Sequence, residues 1–264
     1  MSPPRFTIIT VCLNAGEALS ETLQSVLLQD CEDWEYLIKD GGSTDGSLDQ
    51  VPDDPRIRID TSPENGIYDA MNVAASQARG DYLNFLNAGD RFPDSDVLSR
   101  VAAAVDSADC PELIYGDYFD ERSAKVRVAG PDFSRRSLYF NGLCHQAQWI
   151  RRETFAKAGG LDLSYRFRAD HELLLRLAES GVEATYLPKV LALYDGQGFS
   201  ARKGNRKSLD EEWTRLRRTR YKSSERFKWG FRAMLRFLWL KRLILDVALR
   251  WFPGLLKRRA EKSS

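Results

Sequence analysis

The 264-residue chain is short of several things, and each shortage narrows what it can be. Its four cysteines, Cys12, Cys31, Cys110 and Cys144, contain no Cys-x-x-Cys pair. They read as small buried hydrophobes in a reducing compartment. The opening residues lack the charged-then-apolar layout of a secretory signal, so a cytosolic setting is expected. Long apolar runs are missing too: even the Phe-, Trp- and Leu-rich stretch from Phe227 to Phe252 holds only short ones, such as Phe237–Leu240. A membrane span needs about 20 mostly apolar residues, so none is expected. There is no internal repeat or low-complexity tract. The loop after the first apolar run, Asn14-Ala-Gly16, is not the basic, Gly-rich phosphate loop that a nucleotidyltransferase would be expected to carry.

Net charge is also nearly absent, at +1, but this hides a division. Residues 1–200 hold 19 Lys and Arg against 32 Asp and Glu, a net of −13. Residues 201–264 hold 20 against 6, a net of +14. Such a split implies an acidic globular domain, 1–200, followed by a basic arm for an anionic surface, 201–264.

Along the acidic part, strand-like and helix-like patterns alternate. Phe6–Leu13 is apolar and β-branched and ends in a turn; Leu19, Leu23, Val26 and Leu27 recur at helical spacing; Trp34–Ile38 is again strand-like. Arg56–Asp60, a helix over Ile67–Ala78 and a strand over Asp81–Leu86 follow, an order read as βαβαβαβ. That order predicts a mostly parallel sheet flanked by helices, with ligands beyond the carboxyl ends of its strands. Farther on, Pro111–Val128 reads as strand, turn, strand, and His145–Ile150 as a strand. Arg168–Ser180 reads as a helix, and Glu183–Leu187 and Val190–Tyr194 as two short strands. Three loops leave the same sheet edge: Asn14–Gly16, Asp40–Asp45 and Asn87–Asp90. The last two set carboxylates beside glycine. Carboxylates gathered there repel one another unless a cation or a polar ligand sits among them.

Six segments in order carry a resemblance: Ile8–Asn14, Asp40-Gly-Gly-Ser-Thr-Asp-Gly46, Asn65-Gly-Ile-Tyr-Asp-Ala-Met-Asn72, Gly80–Asp90, His145-Gln146 and Ala169–Arg176. Over residues 5 to about 200 the chain resembles the family-2 type of inverting glycosyltransferases with the GT-A fold, especially bacterial members that build exopolysaccharide or lipid-linked glycans. The resemblance implies an α/β, Rossmann-like domain. It also implies transfer of a sugar from a nucleoside diphosphate sugar to a lipid-linked or polysaccharide acceptor, with inversion at the anomeric carbon. It assigns Thr10, Asn14, Asp40, Asn65, Asp69, Asn72 and Asn87 to the donor and Asp90 to a divalent cation, Mg²⁺ or Mn²⁺. His145 and Gln146 fall to the acceptor or the diphosphate, and Asp170 becomes the general base.

The chain departs from the family pattern where acids are expected, at Gly41, at Asn87 and Gly89, and at Ala169. Structural readings stand beside the functional ones. Asp40 suits a tight turn, Asp170 suits the start of a helix, and His145 suits a satisfied structural histidine. Lys39 is either a solvated charge or a diphosphate contact. A nucleotidyltransferase or a catalytically inactive binding module are the competing functions.

In the basic arm, a helix at about 100° per residue gathers Lys228, Arg232, Arg236, Arg242, Asp246 and Arg250 into one stripe, leaving Lys241 outside it. The other face is aromatic and leucine-rich, the pattern of a helix lying in a membrane interface, with Arg215–Arg220 adding charge against anionic lipid. The expected location is the inner face of the cell membrane. A subunit interface is the alternative use of that face, and nucleic acid is not expected as a partner.

Overall fold

Phe6–Cys12 form the first strand, β1, and every one of its residues is buried. The β-branched run suits a strand covered on both faces. Phe6 and Ile8 join one core with Leu19, Leu23 and Val26 of α1 (Glu17–Leu27) and Val97, Leu98 and Val101 of α3 (Val97–Ser107). The opposite face is covered by α2 (Ile67–Gln77), which buries Ala70, Met71, Ala74 and Ala75. Full burial of an aliphatic side chain contributes about 1.5–3 kcal/mol relative to exposure, so β1 alone anchors both layers. The computed structural model from which this follows describes residues 3–198 and 204–221.

The remaining strands are β2 (Trp34–Asp40), β3 (Ile57–Asp60), β4 (Tyr82–Phe85), β5 (Leu113–Asp120), β6 (Lys125–Arg127), β7 (Gln148–Arg151) and β8 (Ala184–Tyr194). They form one sheet in the order β3-β2-β1-β4-β7-β5-β6, with β8 paired to β5. β1, β2, β3 and β4 pair in parallel, as does β8 with β5, while β7 runs antiparallel to both β4 and β5. The chain therefore steps outward from β1 to β3 and returns to the other side of β1 as β4. That reversal opens a crevice at the carboxyl ends of β1 and β4, where doubly wound sheets bind ligands. Two side chains fasten the antiparallel half to the parallel one. Asn84 on β4 donates to the carbonyls of Gln146 and Gln148. Trp149 packs edge-on against Phe6 and stacks on Phe92.

Three expectations need correction. No α-helix joins β2 to β3: the link holds a single 3₁₀ turn, Ser47–Gln50, because Gly46 and the Asx turns at Asp40 and Asp45 use up the connection. His145–Ala147 is a 3₁₀ turn ahead of β7 rather than part of it. The two short strands near residue 188 are one strand, β8, whose pairing with β5 shifts register around Asp117 to take in Pro188 and Lys189.

The helices α4 (Arg135–Phe140), α5 (Arg152–Lys157) and α6 (Ala169–Ser180) precede β8, and α7 (Arg206–Arg220) follows it. The chain divides into two compact units, Met1–Thr214 and Arg215–Ser264. The amphipathic stretch from Phe227 to Phe252 lies outside the described residues. Among the described residues no helix is long and apolar enough to cross a membrane.

Candidate active site

The loops after β1 and β2 are laced together. Asn14, at φ 50°, accepts the N–H of Thr44 through its side chain and donates its own N–H to Ser43, while the Gly16 N–H reaches Asp45 and Ser47. Asp40 is 1% exposed, with both oxygens engaged. Oδ2 accepts the N–H groups of Gly42 (2.9 Å) and Ser43 (2.8 Å), and Oδ1 accepts the Ser43 hydroxyl and the Cys12 thiol. Burial pulls the Asp40 pKa upward, but these donors outweigh it and hold the carboxyl below its ordinary range. Asp40 thus shapes the loop. Thr10 lies one layer deeper, its hydroxyl shared with Tyr36 and the Leu86 carbonyl, where it ties β1 to β2 and to the end of β4.

Beyond β3, the Asn65–Asn72 segment opens α2. Asp69 accepts the Asn65 N–H at 2.7 Å, which rigidifies the turn before the helix. Asn72 donates to the Leu161 carbonyl and accepts the Leu161 N–H, so its amide clamps a loop 89 residues away. Lys39 is no solvated charge: it is 1% exposed and ion-paired to Glu64 at 2.9 Å.

At the end of β4 a second set of polar side chains converges. The Asn87 amide nitrogen lies 3.1 Å from His145 Nε2, and His145 Nδ1 lies 3.3 Å from Asp170 Oδ2. With Asn87 donating, Nε2 accepts and the ring proton sits on Nδ1, facing Asp170. Tyr68 donates to Asp170 Oδ1 at 3.4 Å. Burial would raise the Asp170 pKa, yet the hydrogen bonds it accepts, chiefly from His145, prevail and hold it below the ordinary carboxylate range. Its side chain keeps 29% exposure, so the carboxylate is ionised and still reachable. Asp90 differs. It is 3% exposed, accepts Gln146 Nε2 at 2.6 Å and the Asp195 N–H at 3.1 Å, and is pushed by burial to about 7.

Two adjoining hollows share Val11, Cys12, Leu13 and Ile67 and make one cleft over the crevice between β1 and β4. The first, of ≈ 580 Å³, is lined by Lys39, Glu64, Asn65, Tyr68 and Asp69 together with Leu163, Tyr165 and Arg166. The second, of ≈ 520 Å³, is lined by Asn14, Asn87, Gly89, Arg91, Asp195 and Gln197 among others. The loop 163–166 on the first hollow is held from α7. Glu212 accepts the N–H groups of Arg166 (2.7 Å) and Phe167 (2.9 Å), and Trp213 meets His171 edge-on.

This arrangement can be set beside known proteins. The sequence model of "Glycosyl transferase family 2" matches residues 7–158, more than half of the chain. The chain belongs to that family. A similar curated protein is the PGL/p-HBAD biosynthesis glycosyltransferase of Mycobacterium bovis (strain BCG / Pasteur 1173P2), 36% identical over 204 residues, covering 75% of this chain and 79% of the relative. Among solved structures, S. aureus TarS 1–349 in complex with UDP-GlcNAc superposes with a TM-score of 0.64 at 17% identity, over 75% of this chain and 61% of that one. The mannosyltransferase PcManGT from Pyrobaculum calidifontis in complex with GDP-Man and Mn²⁺ gives 0.57 at 19% identity, over 75% of this chain and 59% of that one. These likenesses identify the fold as GT-A.

For this glycosyltransferase, the cleft brings together Asn14, Asn65, Asp69 and Asn87 along its walls, with His145 and Asp170 as a pair behind them. It leaves Thr10, Asp40 and Asn72 turned to internal partners, and Gln146 turned to Asp90. Glu64, Tyr68 and Asp195 were missed in the sequence. Asp195 opens a Gly-rich run, so the same criterion that marked the Asp40 and Asp90 loops, an acid beside glycine, would have found it. Its carboxylate presses on Gly89: a Cβ there would lie 2.5 Å from Asp195 Oδ2, and with φ at 98° the position accepts little but glycine. Glu64 and Tyr68 carry no such signal.

Proposed function

We propose that this glycosyltransferase moves one sugar from a nucleoside diphosphate sugar to a lipid-linked or polysaccharide acceptor hydroxyl, inverting the anomeric carbon, with Asp170 as general base. The observation that supports this reading is the Asn87–His145–Asp170 chain at the end of β4, with Tyr68 on the other carboxylate oxygen. These contacts hold an ionised carboxylate in one orientation. In the step itself, the acceptor oxygen forms a bond to the anomeric carbon as the bond to the diphosphate breaks. The hydroxyl proton passes to Asp170, and the nucleoside diphosphate leaves with the electron pair. Attack from the face opposite the leaving group gives inversion. The UDP-GlcNAc and GDP-Man complexes of the two structural neighbours are consistent with such a donor.

A divalent cation, Mg²⁺ or Mn²⁺, fits the second hollow. The Asn87 Oδ1 is buried without a hydrogen-bond partner, an oxygen that a hard cation would satisfy, and the Asp90 carboxylate is tied to the neighbouring loop by the Asp195 backbone N–H. Among the described residues no group of three or more His, Cys, Asp or Glu could hold a metal ion, so water and the donor phosphates would complete the shell. When bound, the cation would neutralise charge on the departing diphosphate. The +14 arm would hold the enzyme peripherally on an anionic inner membrane face, where a lipid-linked acceptor is presented.

Asp170→Asn tests the base. It is expected to lower product formation by roughly 10²–10⁴-fold while binding of UDP or GDP, followed by calorimetry, stays within a few-fold of wild type. Near-normal turnover in the variant would remove Asp170 from the role, and a wild type that turns over no nucleotide sugar would leave the inactive binding module as the better reading.

A further inference from the structure

The penultimate residue of β2, Lys39, is a lysine that does not reach water. The ammonium of Lys39 donates to Glu64 Oε2 at 2.9 Å and to the Ser62 carbonyl, with the Asp60 carbonyl at 3.5 Å. A buried ammonium needs a counter-charge and acceptors, and Glu64 supplies the charge. That contact uses one carboxylate oxygen. The other, Oε1, has no hydrogen-bond partner among the described residues, although the side chain is only 15% exposed. Glu64 lines the first hollow, and its Oε1 lies toward Gly41, where a Cβ would stand 2.9 Å from it. Residue 41 leaves room for this oxygen because it has no side chain.

The position of Glu64 in the fold limits what it can meet. Strand order is β3-β2-β1-β4, and Glu64 is anchored at the β2–β3 end, whereas Asn87, His145 and Asp170 gather where β4 meets β7. Neighbouring strands are spaced about 4.8 Å apart, so β2 and β4 are separated by about 10 Å, roughly the reach of a diphosphate. If the transferred sugar sits at Asp170, the opposite end of the donor extends to Glu64. A carboxylate oxygen accepts hydrogen bonds and repels phosphate, and the Lys39–Glu64 pair is neutral overall, so it admits a polyanionic donor without opposing its charge.

We infer that Glu64 is a specificity-determining residue of the donor site, its Oε1 accepting a hydrogen bond from the nucleoside: an imide N–H of the base or a ribose hydroxyl. The inference rests on the proposed nucleoside diphosphate sugar. In Glu64→Gln, Lys39, which only donates, holds the amide oxygen, so the amide nitrogen faces the cleft and meets a ligand donor with a donor.

Calorimetry on the full chain with UDP, GDP and inorganic pyrophosphate tests this. Glu64→Gln is expected to bind the preferred nucleotide about 10- to 100-fold more weakly than wild type, with pyrophosphate binding unchanged. A second measurement leaves the protein intact. Wild type is titrated with the 2′-deoxy, 3′-deoxy and N-methyl-imide forms of that nucleotide. The form lacking the group that Glu64 reads should bind wild type as weakly as the parent binds the variant, and should lose nothing further on the variant. Methyl sensitivity identifies the base, and deoxy sensitivity the ribose. The inference is overturned if the variant binds the nucleotide like wild type, if it loses pyrophosphate equally, or if all three forms bind wild type as the parent does. It is also overturned if the variant loses only the sugar-bearing donor, which would make Glu64 a contact to the sugar. A wild type that binds neither UDP nor GDP removes the nucleotide-sugar reading itself, and the inference with it.

Discussion

Asp40 and Asp90 stand at the same edge of one sheet, each beside glycine and each almost fully buried, yet they are held in opposite electrostatic states. Asp40 receives two backbone N–H groups, a hydroxyl and a thiol, and is kept below the ordinary carboxylate range despite burial. Asp90 receives the Gln146 amide and the Asp195 N–H, and burial pushes it to about 7. The number of donors decides which effect wins. A carboxylate with a full set of donors belongs to the scaffold. One that is buried and short of donors is pushed toward its protonated form.

The contrast can be broken by titrating stability with chelator present. Between the ordinary carboxylate value of 3.8 and about 7, native Asp90 keeps a proton that the unfolded chain gives up. The folded pKa is raised, so stability falls as pH rises through this window, by about 1.4 kcal/mol per unit and roughly 4 kcal/mol in all. Asp90→Asn carries no such proton. Its urea-unfolding free energy should therefore gain on wild type by that amount between pH 4 and 8. Parallel curves would mean that Asp90 is ionised throughout.

Asp40 should behave in the opposite sense and with a smaller effect. Its folded pKa is lowered, so its contribution is fully present above its ordinary 3.8 and disappears as pH falls through the lower folded value. Asp40→Asn should lower unfolding free energy by about 2–3 kcal/mol at pH 7, because an amide cannot accept all four donors, and the wild-type advantage should shrink only in acid. An advantage that persists unchanged into strong acid would show that loop shape, and not charge, is what Asp40 supplies.

These two residues also show what could be read in the sequence. Periodicity located β1, α1, α2 and α6, since buried strands and amphipathic helices leave their spacing in the chain, and motif order led to the right family. The resemblance named His145 and Asp170 for separate roles, and their pairing at 3.3 Å came only from the structure. The tight turn at Asp40 was legible, because its loop donors lie two and three residues away. It could not be read that Thr10 and Asn72 clamp Tyr36 and Leu161, because hydrogen-bond partners 26 and 89 residues apart leave no local pattern. Glu64 escaped for the same reason. Its role depends on a cation from β2 and on a side chain that Gly41 lacks.

A third carboxylate sharpens the comparison by taking backbone donors from a distant segment. Glu212 on α7 accepts the Arg166 and Phe167 N–H groups across more than 40 residues, and so fixes the loop whose Leu163, Tyr165 and Arg166 line the first hollow. It is half-buried, so its contribution should be the smallest of the three, about 1 kcal/mol for two partly solvated hydrogen bonds. Glu212→Ala should therefore raise KM for the nucleotide sugar several-fold with kcat little changed, because the wall of the cleft loosens while Asp170 and His145 keep their partners. Glu212→Gln, which can still accept one N–H, should fall between the two. A chain ending at Ser200 should match or exceed the alanine variant's KM, whereas one ending at Tyr221 should match full length toward a soluble acceptor. Equal KM values for the Ser200 and Tyr221 chains would show that α7 contributes nothing to the cleft, and would return its residues to the basic arm.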